Sequence, residues 1–142
     1  MKYHLLAMLA LLLSLTGLAA DEKQTDKDKL QGTWIVTSME FDGIKADIPA
    51  DLAGSFTFKD DTLTIKDPKK KDDVKGTFKS DNKQDLDFTV VKGSNPKLTE
   101  TRRMLYKLDG GTLTLVGLAR DNTVRPKAFD DKGVIIMILK KK

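Results

Sequence analysis

Leu30-Gln31-Gly32-Thr33-Trp34-Ile35-Val36-Thr37-Ser38-Met39-Glu40-Phe41 is the stretch that decides how this chain is read. From Thr33 the residues alternate. Trp34, Val36, Ser38 and Glu40 fall on one face, and Thr33, Ile35, Thr37, Met39 and Phe41 on the other. A period of two with β-branched enrichment marks a strand whose two faces meet different surroundings. Gly32 stands two residues ahead of the only tryptophan. The stretch opens an all-β reading, and the rest of the chain repeats its pattern.

Phe41-Asp42-Gly43 ends this first strand, and a longer connection follows that carries Pro49 and a possible helical turn over 50–53. A second strand over 55–59 puts Phe56 and Phe58 on one face. A third over 62–66 matches them with Leu63 and Ile65, and Asp60-Asp61 makes a tight hairpin between the two. Pro68 stops the third strand, because proline lacks a ladder donor. After the charged loop 69–73 come a fourth strand with Val74, Gly76 and Phe78, and a fifth in which Leu86, Phe88 and Val90 alternate with Asp85, Asp87 and Thr89. Gly93-Ser94-Asn95-Pro96 is dense in turn signals, and that connection is read as running to about residue 101. The sixth strand, 102–108, faces Tyr106 and Leu108 inward. Asp109-Gly110 then reads as a two-residue type I′ hairpin into a seventh strand, 112–119, with Leu113, Leu115 and Gly117. A long connection, 120–133, leads to an eighth strand, 134–139, which is apolar on both faces.

The connections alternate between short and long. In an up-and-down meander every second connection lies at the same end, so the long ones gather at one rim and the short ones at the other. The expected fold is therefore an all-β, eight-stranded antiparallel up-and-down barrel without a C-terminal helix, closed at one end and with a loop-lined mouth at the other. Eight strands give an interior that is either filled by side chains or holds one small ligand, and closure removes exposed sheet edges. The alternative is a sandwich of the same eight strands.

Composition narrows the function. The chain has 142 residues, 39% hydrophobic and 32% charged, an ordinary balance that suits one domain. Residues 1–20 read as a secretory signal peptide: Lys2 precedes the apolar run 5–15, and Thr16-Gly17-Leu18-Ala19-Ala20 ends it in small residues. That run is about half of the roughly 20 residues a bilayer requires, so no integral span is expected after its removal. Asp21 follows Ala20, where a lipoprotein would carry cysteine. Residues 21–29 form a charged lead, flexible with one helical turn before Leu30, and 30–142 form the barrel domain. The net charge of +4 is too mild for a nucleic-acid binder. With no cysteine, the domain relies on its core rather than on disulfides. The single histidine is His4, which leaves with the signal peptide. Cysteine nucleophiles, histidine-assisted triads and the usual zinc, copper or haem ligand sets are thereby excluded, and no cofactor, metal or catalytic residue is expected.

Gly32-Thr33-Trp34 resembles the Gly-x-Trp signature that opens the first strand of lipocalins, preceded there as here by a helical turn. Four segments together are similar to a family of small exported lipocalin-like domains found in planctomycete bacteria. They are Leu30-Gln31-Gly32-Thr33-Trp34, Glu40-Phe41-Asp42-Gly43, Tyr106-Lys107-Leu108-Asp109-Gly110-Gly111-Thr112-Leu113 and Arg125-Pro126-Lys127-Ala128-Phe129. The resemblance implies a lipocalin-like barrel exported to the periplasm, the cell envelope or the medium. Lipocalins place an arginine near the end of the last strand, over the tryptophan at the closed end. Here that strand runs into Lys140-Lys141-Lys142, and Arg120 and Arg125 precede it.

Gly32 and Trp34 are expected to form a structural plug, the indole being core unless it lines an open cavity and stacks on a ligand. Glu40 shares the Trp34 face, so either it faces a ligand or an arginine at the mouth, or it reaches water at the rim or across a one-residue bulge. Arg125 and Phe129 lie in the longest loop. Either they contact a ligand or anion at the mouth, or Pro126 stiffens the loop while Phe129 caps the barrel. Tyr106, inward on the sixth strand, joins Glu40, Arg125 and Phe129 as a mouth ligand-binding residue. Gly76, Gly117 and Ser38 leave space inside the barrel, although a strand glycine also marks a bulge. The acidic pairs lack the spaced ligand loop of calcium sites and read as solvated turns. The expected function is noncatalytic binding of a small apolar or amphipathic molecule at the mouth. The alternative is an envelope module that binds protein or polysaccharide.

Overall fold

The computed structural model describes residues 24–91 and 95–142, so the signal-peptide reading and Gly93-Ser94 lie outside the described residues. Among the described residues, nine antiparallel strands follow one short helix, α1 (Asp26–Leu30). They are β1 (Gly32–Phe41), β2 (Ile44–Asp47), β3 (Ser55–Lys59), β4 (Thr62–Lys66), β5 (Val74–Ser80), β6 (Asp85–Val91), β7 (Thr99–Asp109), β8 (Thr112–Leu118) and β9 (Val134–Lys141). Each of β3 to β8 pairs with the next, and β1 pairs with both β3 and β9. An eight-stranded barrel is thereby closed. Among the described residues no helix is long and apolar enough to cross a membrane.

Strand β2 was not expected. Asp42 (φ 51°) and Gly43 (φ 76°) both take positive φ, as a type I′ turn requires, and Phe41 pairs with Ile44 across them. The supposed long first connection is therefore a hairpin, a 3₁₀ turn over Ala50–Leu52, and β3 continuing along the same edge of β1. At the other Asp-Gly the expected I′ turn is replaced. Asp109 pairs with Thr112, the central residues are Gly110 and Gly111, and only Gly110 has positive φ, which is the type II′ pattern. Strand β7 also starts earlier than residue 101, at Thr99, because its upper half pairs with β6 up to Val91.

The closed end is packed solid. Trp34, Phe58, Leu63, Leu86, Tyr106, Leu113 and Leu139 are each at most 1% exposed, and the Phe58 and Phe78 rings meet edge to face at 4.9 Å. Helix α1 closes this end with its buried Leu30, whose carbonyl accepts the Trp34 indole N–H at 2.8 Å. Thr25 and Asp28 cap the helix reciprocally, and the Gln31 side chain brackets the Asp60 backbone, donating to its carbonyl at 3.1 Å and accepting from its N–H at 2.7 Å. The helical turn expected before Leu30 is α1, and its backbone and side chains tie it to the barrel. Lys141 places its ammonium 5.4 Å from the centre of the Trp34 ring. Gly32 makes room for it: φ is 115°, and a Cβ there would come within 3.2 Å of the Lys141 stem. Both features of Gly-x-Trp therefore serve the plug.

Candidate functional site

Above the plug the barrel is hollow. A cavity of about 330 Å³ opens at the loop-lined end, bounded by Met39, Phe56, Phe88, Arg102, Met104 and Met137 among others. Its walls are almost wholly apolar, and its size is at the low end of the roughly 300–1,000 Å³ of small-molecule sites. Met39, Met104 and Met137 come from three different strands. They are all the methionines of the described residues, and their unbranched, polarizable side chains suit a wall that adapts to its contents.

Space exists here because small residues face large ones. Gly117, opposite Ile135 on β9, turns no side chain into the barrel, and a Cβ added to it would meet only the Met104 Cγ at 3.8 Å. Gly76 has a different cause. A Cβ there would lie 2.1 Å from the Thr89 carbonyl oxygen and 2.9 Å from the Phe88 ring, so this glycine is the price of close contact between β5 and β6.

The side wall is completed by residues 119–133. Strands β7 and β8 pair from Asp109 and Thr112 up to Leu105 and Val116, then part. The segment after β8 takes the vacated place: the Arg103 N–H donates to the Asn122 carbonyl at 2.8 Å, and Ala119 and Asn122 line the cavity. The segment then runs down the outside of the barrel as a strap. Phe129 packs against Leu105, Val116 and Val134 on the outer face, where Ile136 also lies. This cover explains why the last strand is apolar on both sides.

The four residues expected to meet at the mouth do not do so. Strand β1 carries a bulge between Val36 and Ser38 opposite β9, which reverses its faces. Met39, paired with Met137, therefore lines the cavity, whereas Glu40, paired with Ile136, turns outward to a shallow groove beside Asp130, Asp131 and Lys132. Arg125 lies on the outer wall. It forms an ion pair with Asp87, places its Nε 3.5 Å from Asp85 and donates to the Met104 carbonyl at 2.9 Å, which pins the strap. Phe129 covers that wall rather than the mouth. Tyr106 is at the closed end, where its hydroxyl donates to the Asp26 carboxylate of α1. Burial, and then that carboxylate, raise the phenol far above its ordinary range, so it remains a neutral donor.

Arg102 is the residue the sequence reading missed. It pairs with Phe88 across β6 and β7, its guanidinium carbon is 5.9 Å from the Phe88 ring centre, and it borders the cavity. The signal was present, since counting back by twos from Tyr106 through Met104 reaches Arg102. Among the described residues no three His, Cys, Asp or Glu side chains are grouped to hold a metal ion. The acidic pairs serve turns and the strap: Asp61 pairs with Lys27, and Asp131 accepts the backbone N–H groups of Lys127 and Lys132. Compared with known proteins, the chain matches no family model, no curated protein and no solved structure.

Proposed function

We propose that this protein is an exported, noncatalytic, lipocalin-like domain that binds one small, partly apolar molecule in the cavity at its mouth. The observation that carries this reading is a barrel solid at one end and hollow, apolar and open at the other. Three methionines in the walls support it, as does the absence of any carboxylate among the lining residues. The leader-like segment 1–20 supports export, and the four segments quoted above support kinship with the planctomycete lipocalin-like domains. An envelope module binding through its outer face is the weaker reading, because the strap already covers the apolar outer patch on β7, β8 and β9.

An uncharged fluorescent apolar probe, N-phenylnaphthylamine, tests the reading. Titration is expected to saturate at one equivalent with a rise in emission. Gly117→Leu is expected to fill the cavity and weaken probe binding at least about tenfold, the equivalent of roughly 1.4 kcal/mol. Its thermal midpoint is expected to stay level or rise, since the new side chain enters empty space and strand glycines are intrinsically weak. No binding by the wild type, or undiminished binding by the leucine variant, contradicts the proposal.

A further inference from the structure

The cavity's apolar walls are interrupted by one cation, and its hydrogen bonding is incomplete. Among the described residues, the Arg102 Nε is the one buried side-chain polar atom without a hydrogen-bond partner. Buried donors are normally paired, and a native exception asks for an explanation. Arginine cannot relieve the situation by losing its proton. Glu100, the nearest carboxylate, stands 3.9 Å from the Nε, close enough to offset charge but beyond hydrogen-bond reach. The Phe88 ring lies beside the guanidinium and offers no acceptor oxygen. The Nε itself is buried, but the side chain as a whole is 30% exposed, so an incoming molecule can reach the rest of the guanidinium.

From this we infer that the bound molecule carries a compact oxyanion head on its apolar body, and that Arg102 is the residue that recognises the head. The apolar body lies among Met39, Phe56, Met104 and Met137 while the head accepts from Arg102. A guanidinium presents its N–H groups as a planar fork that fits two oxygens of a carboxylate or phosphate. Arg102 borders the cavity from the upper half of β7, so the molecule enters with its head held at the level of Phe88. Glu100 limits affinity by repelling the same head and keeps the empty site from attracting every anion.

This inference rests on the proposed binding function, and the test separates the two. Bound N-phenylnaphthylamine is displaced by decanoate, decyl phosphate or decanol from the wild type and from two variants, Arg102→Met and Glu100→Gln. In the wild type at least one of the two anions is expected to compete about 10- to 100-fold better than decanol, the range of a charge-assisted hydrogen bond, and the better anion identifies the head. Arg102→Met is expected to bring the anions and the alcohol to parity, read as the ratio of their competition within that variant. Glu100→Gln is expected to tighten the anions severalfold and leave decanol unchanged. Equal competition by anions and decanol in the wild type overturns the role of Arg102 while leaving the cavity's function intact. If Arg102→Met does not fold, the wild-type comparison and Glu100→Gln still decide. A wild type that never binds the probe defeats the underlying proposal instead.

Discussion

Trp34→Ala is expected to lower stability by about 3–5 kcal/mol, the range for truncating a buried aromatic in a packed core. Three losses coincide at this position. The indole is 1% exposed and fills the closed end, its N–H is held by the Leu30 carbonyl, and Lys141 loses the ring it stands over. The Leu30 carbonyl is left without that donor, and α1 loses one of its ties to the barrel. Single domains are stable by only about 5–15 kcal/mol, so the variant would be left near the edge of folding. Thermal and urea unfolding followed by circular dichroism measure the effect, with a fall in midpoint of roughly 10 °C or more expected. A loss below about 1 kcal/mol would mean that Trp34 is not the plug. Lys141→Met is the gentler companion, because it keeps most of the apolar stem and removes only the ammonium.

Gly76→Ala is expected to be comparably severe although it adds a single methyl group. The new Cβ would sit 2.1 Å from the Thr89 oxygen and 2.9 Å from Phe88. Overpacking against a movable side chain costs about 1–3 kcal/mol. Here the obstacle is a backbone carbonyl inside the β5–β6 ladder, so the strands themselves have to separate, and a loss at or above the top of that range is expected. Gly117→Ala is the control. Its Cβ meets nothing closer than 3.8 Å, and its unfolding midpoint is expected to stay within about 0.5 kcal/mol of the wild type or to rise. Equal stability of the two alanine variants contradicts the packing described here.

These two glycines show what the sequence made legible and what it did not. Period-two alternation located most of the barrel strands, with β3 and β4 at their exact residues because each of these two carries apolar residues on one face only, whereas the last strand was located by its apolar run. The tight turns were harder, since an Asp-Gly pair does not say which of its neighbours is central. At 42–43 the pair forms the I′ turn itself, whereas at 109–110 the following Gly111 draws the turn one residue on. Strand β2, Ile44-Lys45-Ala46-Asp47, alternates but is only four residues long and exposed throughout, so it reads as part of the connection.

The site was less legible than the fold. Tyr106 was rightly read as inward, but direction alone does not give height along the barrel axis, and its partner Asp26 is 80 residues away in sequence. Glu40 followed the parity of Trp34 until a bulge reversed it, and bulges carry no reliable residue signature. Arg125 and Phe129 belong to a loop whose path over the outer wall depends on Asp85 and Asp87, two strands away from β8. Arg102, which borders the cavity, follows from periodicity, because no irregularity intervenes between it and Tyr106 in β7.

The central claim is that a molecule enters the hollow half of the barrel and leaves the plug undisturbed. Nuclear magnetic resonance of methyl-labelled methionine tests it most directly, because Met39, Met104 and Met137 all border the cavity. On addition of N-phenylnaphthylamine all three methyl signals are expected to shift together and saturate at one equivalent, while the indole N–H signal of Trp34 stays in place. Unmoved methionine signals, or a shift of the Trp34 signal ahead of them, would contradict the account.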